Sequence, residues 1–74
     1  MNNDRRRMLQ NARDLIDEAK DLIEQARDEE QECFENMPES LQQSDRGQQM
    51  EENVSVLESA LDTLEQVYDE IGDL

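Results

Sequence analysis

Histidine and tryptophan are missing from this chain, and cysteine, proline, phenylalanine and tyrosine each occur once. Each scarcity removes a class of protein. A lone Cys33 closes no intrachain disulfide. Without His, the common zinc patterns and the Glu-x-x-His motif of di-metal bundles have no ligand set. Only Gly47 and Gly72 are glycines, so a Gly-rich phosphate loop is excluded, and the calcium-loop pattern with its central glycine is missing. No Ser/His/Asp set can be assembled. The paired carboxylates (Asp17-Glu18, Glu29-Glu30, Glu51-Glu52) fall mostly on outer helix faces, where no carboxyl is desolvated enough for acid–base work. An enzyme is therefore not expected, and neither is a metal or cofactor. No apolar run approaches the ~20 residues of a membrane span. Met1–Asp14 holds three arginines but not the apolar centre of a secretory signal. With its free thiol, the chain reads as cytoplasmic.

Basic residues are also few. Seven Lys and Arg stand against 21 Asp and Glu, a net charge of -14. That balance opposes direct binding to nucleic acid or an anionic membrane and suits a partner with a basic surface. Charged residues at 38% and aromatics at 3% are also the composition of many disordered chains. The apolar periodicity decides against disorder.

With Leu9 at heptad position a, the first segment has Leu9, Ile16 and Ile23 at a, and Ala12, Ala19, Ala26 and Cys33 at d. Met8, Leu15 and Leu22 occupy g. The second segment has Val54, Leu61 and Tyr68 at a, and Met50, Leu57, Leu64 and Ile71 at d. Ala60, Val67 and Leu74 occupy its g positions. These are helical stripes wider than a two-stranded seam needs, and strand alternation is absent. The expected fold is all-α: one domain, residues 1–74, with a helix over about 4–36, a corner over about 37–44 and a helix over about 45–72.

The stripes fit each other antiparallel, with the fold-back centred on Ser40. Leu9 then faces Ile71, Ile16 faces Leu64, Ile23 faces Leu57, Ala26 faces Val54 and Cys33 faces Gly47. In that register Cys33 is a buried, inert thiol. The e positions select the same register through Arg13–Glu65, Lys20–Glu58 and Arg27–Glu51, pairs that each contribute ~0.2–1 kcal/mol at a surface. The g flank is apolar on both helices: Met8, Leu15 and Leu22 beside Leu74, Val67 and Ala60. A lone hairpin leaves it wet. A second copy covers it, so a homodimeric four-helix bundle, or a higher oligomer, is expected, with its contact centred on that half.

At the corner, Met37-Pro38 ends the first helix. Glu39-Ser40-Leu41-Gln42 can form a short helical turn, and Ser44 or Asp45 can cap the second helix. Phe34, Met37, Leu41 and Met50 are the residues available to plug the end. Ten or so residues is longer than a bundle corner requires. Either the extra length packs as a helical turn or it serves as a partner-binding loop. Glu29 and Glu30 interrupt the apolar stripe just before it; Glu30 is expected opposite Met50, snorkelling to water or bonding to corner groups.

The run DEEQECFENMPESLQQSDRG (28–47) resembles a recurring core of small acidic helical-hairpin proteins of bacteriophages and gut-bacterial mobile elements, D-E-E-Q-x-x-F-x-N-x-P-E-x-L-Q-x-S-x-x-G. Asp28, Glu29, Glu30, Gln31, Phe34, Asn36, Pro38, Glu39, Leu41, Gln42, Ser44 and Gly47 carry it, over about a quarter of the chain. The resemblance implies a two-helix fold, a mobile-element origin and hence a host-cell cytoplasm, and no chemistry.

The remaining feature is the outer face of the first helix, lined by Asp14, Asp17, Glu18, Asp21, Glu24, Asp28, Glu32 and Glu35. A rod of ordered carboxylates can imitate a nucleic-acid backbone, or simply keep the protein in solution. The leading expectation is a small non-enzymatic protein that binds and inhibits or modulates a host protein, such as a defence factor. An assembly scaffold docking through the corner or apolar flank is the alternative. A ligand-sequestering oligomer would instead need Arg5, Arg6 and Arg7 of several subunits to converge on an anion.

Overall fold

A computed structural model describes all 74 residues. The chain is an all-helical hairpin of α1 (Asn3–Glu35), a single turn α2 (Glu39–Gln42) and α3 (Asp45–Gly72). Helix α1 is rich in Leu, Ala, Glu, Gln and Arg, strong helix formers, and has no internal Gly or Pro. The Asn2 side chain caps its start by accepting from the Arg5 amide at 2.9 Å. Pro38 blocks its continuation. Ser44 caps α3: its hydroxyl accepts from the Gly47 amide at 3.3 Å and donates to the Leu41 carbonyl.

The hairpin is a rod of 58 × 15 × 12 Å with a radius of gyration of 17.0 Å, where a compact chain of this length has about 11 Å. Its core is correspondingly thin. Only Val54 and Leu61 are buried apolar residues, with Leu9, Ile16, Ile23, Phe34, Leu57, Leu64, Tyr68 and Ile71 half-buried around them.

The heptad reading holds along α3 and drifts along α1. Beyond Ile23 the half-buried positions of α1 are Arg27, Glu30, Gln31 and Phe34, while Ala26 and Cys33 are exposed. A straight helix of 3.6 residues per turn rotates ~20° per heptad against a strict 3.5 repeat. By its last two heptads α1 has turned its d positions out and its e positions in. Ala26 therefore does not pack on Val54, and Cys33 is an exposed thiol rather than a buried one facing Gly47. Glu30 turns toward α3 and accepts a hydrogen bond from Asn53 Nδ2 at 2.8 Å, not a contact with Met50.

None of the three expected interhelical ion pairs forms; the single ion pair joins Arg27 to its neighbour Asp28 at 3.0 Å. Arg13 is drawn elsewhere. Helix α3 has no basic residue in its last turn, so the negative end of its dipole lacks a local cation. Arg13 supplies one from α1, donating from Nε to the Tyr68 carbonyl at 3.1 Å, with its guanidinium 3.9 Å from the Tyr68 ring centroid. Lys20 and Arg27 do share a polar groove with Glu58 and Glu65, without pairing to them.

The corner's length has a use that its sequence hides. Gln42 Nε2 donates to the carbonyls of Phe34 at 3.0 Å and Met37 at 3.1 Å. These oxygens lie at and just past the end of α1, where carbonyls run short of intrahelical donors; the Phe34 oxygen also accepts from the Met37 amide at 3.1 Å. Helix α2 is thus the arm that carries a cap back to α1. Gln42→Ala should lower stability by about 1–2 kcal/mol, since it strips two half-buried hydrogen bonds. Thermal melting and amide exchange at residues 34–37 check this; unchanged exchange there would mean that the cap contributes nothing.

Candidate functional site

Three surfaces of the rod offer something to bind. The first is the outer face of α1. Asp14, Asp17, Glu18, Asp21, Glu24, Asp28, Glu32 and Glu35 are all exposed. They recur along the helix mostly on the side turned away from α3, with Glu24 at the edge of the groove that it shares with Glu58, Asp62 and Glu65 of α3. Over ~31 Å of helix, at 1.5 Å per residue, this is about one carboxylate per 4 Å. A single DNA strand carries one phosphate per ~3.4 Å of axis. Asp28 is held by Arg27, Asp14 accepts from Gln10 at 3.1 Å, and Glu35 accepts from Gln31 at 2.9 Å. The others point into solvent without a protein partner. No three acidic or thiol side chains converge into a group that could hold a cation. The charge is a ridge, not a pocket.

The second surface is the g flank. Met8, Leu15, Leu22 and Leu74 are 61–66% exposed, and Ala60 and Val67 are half-buried beside them. Two features extend the flank beyond the sequence reading. Val56, 60% exposed, continues the α3 side, and the rotation of α1 brings Ala26 and Cys33 onto the same stripe. Val56 was legible as an apolar residue at position c, next to g, while Cys33 was not, because a strict heptad assigns it to the seam. The whole chain exposes 5668 Å². A compact monomer of 8.7 kDa exposes about 4,700 Å².

The third surface is a shallow groove at the corner lined by Cys33, Asn36, Met37, Pro38, Leu41, Arg46 and Met50. Phe34, Met37 and Met50 are half-buried and close the hairpin's end. Leu41 does not join the plug: it is 50% exposed, because Gln42 rather than Leu41 turns toward α1. Gly47 is buried against the backbone of Leu41 and Gln42.

At the opposite end Arg5, Arg6 and Arg7 are exposed, and Arg6 donates from Nε to the Met1 carbonyl at 3.2 Å. Arg6, Leu9, Arg13, Ile71 and Leu74 share one small depression there. No helix is long and apolar enough to cross a membrane. No protein-family model, curated protein or solved structure matches the chain.

Proposed function

We propose that this chain is a small non-catalytic binding protein of a phage or mobile element, acting in the host cytoplasm. It works as a homodimeric four-helix bundle and lays the acidic face of α1 on a basic surface of a host protein, where that protein would hold a nucleic-acid backbone. The α1 ridge carries this reading: its carboxylates are spaced nearly as phosphates along a strand and are held on a rigid helix. The dimer is supported by the open g flank and by the surface excess of about 900 Å² over a compact monomer, the area that a standard interface takes from one partner. Pairing would double the acidic face.

The test is capture of host proteins by the dimer, followed by competition. A mimic's partner is displaced by double-stranded DNA and weakens about tenfold or more between 50 and 200 mM salt. Reversing Asp17, Asp21, Glu24 and Asp28 to Lys should abolish its capture. Leu41→Asp should leave it intact.

The scaffold reading rests on the corner groove, where Leu41 stands half out of the surface beside Met37 and Met50. It expects the opposite pattern: a salt-tolerant partner, lost with Leu41→Asp and retained by the four-lysine variant.

A further inference from the structure

Two hairpins stacked through the g flank can lie with their corners at the same end or at opposite ends. We infer that they lie antiparallel, centred on Leu15 and Val67, with the two corners at opposite ends of a lengthened rod. The inference rests on the dimer proposed above and adds its orientation.

Apolar matching alone permits both arrangements. Antiparallel, α1 lies on the partner's α1 and α3 on the partner's α3. Leu15 then meets the partner's Leu15, Met8 the partner's Leu22, and Val67 the partner's Val67. With the corners together, α1 lies on the partner's α3, and Leu15 meets the partner's Val67. Both schemes cover leucine with aliphatic groups.

Charge separates them. Residues 28–52, which form the corner end, hold nine carboxylates and one cation, Arg46. Residues 1–13 and 67–74, which form the open end, hold four carboxylates and four arginines. One end of the rod is therefore strongly negative and the other is balanced. Corners at the same end set two such clusters side by side on helices ~10 Å apart, close to the ~8 Å screening length at physiological salt. In the antiparallel arrangement the overlap ends near residue 27. Each corner then projects past its partner's open end, with ~40 Å of helix between the two, several screening lengths. On α1 the overlap takes in Met8, Leu15 and Leu22 and ends just before Glu29, which interrupts the apolar stripe; on α3 it runs from Ala60 to Leu74 and leaves Val56 outside it.

Cys33 is the only thiol and is exposed, so a nitroxide can be placed on the native sequence. In the antiparallel dimer the two Cys33 positions lie 36 residues apart along the axis, about 54 Å. With corners together they lie within about 20 Å, set by the bundle's width. Pulsed electron-spin distance measurement should give a distribution centred near 50–60 Å. Sedimentation of the same labelled sample fixes the mass. A dimer with a distance under about 25 Å overturns the orientation and leaves the dimer standing. A species of one chain at every concentration overturns both.

Discussion

Leu15→Glu is expected to convert a species of two chains into one of 8.7 kDa at micromolar concentration, and Leu22→Glu to do the same. Each leucine lies about two-thirds exposed on the hairpin, so the substitution removes nothing that the single chain packs. Its effect falls on association. Burying a leucine is worth about 1.5–3 kcal/mol, and twofold symmetry counts it twice, so a dimer loses about 3–6 kcal/mol. At 1.4 kcal/mol per decade this is about two to four orders of magnitude in Kd. In the antiparallel dimer proposed above Leu15→Glu would go further, because it would set two carboxylates against each other across the axis. Sedimentation equilibrium reads the mass. Circular dichroism reads the second consequence: with Val54 and Leu61 its only buried apolar side chains, the separated hairpin should melt well below the dimer. The parent's Tm should rise with protein concentration, and the variant's should not. A parent whose Tm is the same over a hundredfold dilution would end the argument for a dimer. Asp21→Lys, on the opposite face, is the matched control and should leave the mass unchanged.

What could be read from the sequence was the helix pair and its turn, because periodicity and Pro38 act locally and α3 keeps its heptad phase throughout. What could not be read depended on competition between partners. Arg13 had a carboxylate within reach in the heptad pairing, but the ring and carbonyl of Tyr68, near the negative end of α3, hold it instead. Cys33 and Ala26 were misplaced because the scheme assumed that α1 supercoils, and over four heptads the difference between 3.5 and 3.6 residues per turn exceeds the width of one position. Gln42 is a glutamine in a polar turn and resembles Gln43 beside it. Nothing in its type announces a cap. Yet Gln42, Ser44, Gly47 and Glu30 all belong to the run 28–47, and each makes a structural contact here: a cap on α1, a cap on α3, a close approach and a bond to Asn53. The corner run builds the turn. The candidate surfaces lie mostly outside it, on faces whose exposed acids and leucines the heptad assignment had already separated from the seam.

Gly47→Ala should be the most damaging single-atom change to the hairpin. On helix propensity alone, alanine inside a helix is favoured over glycine by about 0.8–1 kcal/mol, and Gly47 needs no unusual backbone, since no glycine has positive φ. Space decides the sign. A Cβ at Gly47 would overlap the Gln42 carbonyl oxygen and stand 2.6 Å from the Gln42 carbonyl carbon and the Leu41 carbonyl oxygen. These are backbone atoms, so no rotamer change relieves them. Helix α2 must move away from α3. The movement pulls Gln42 from the carbonyls of Phe34 and Met37, and loosens the Ser44 cap on the Gly47 amide. Overpacking and two lost caps together cost about 3–4 kcal/mol, leaving a net loss of about 2–3 kcal/mol after the propensity gain. For a chain of this size that is a fall of about 10–20 °C in Tm. Gly72→Ala is the control with the same propensity gain and a different neighbour. Its Cβ would meet the Arg13 guanidinium at 2.6 Å, the far end of a flexible side chain that can swing aside, so Tm should move by only a few degrees. If Gly47→Ala melts at or above the parent while Gly72→Ala melts below it, the close approach of α2 to α3 is not what holds the corner.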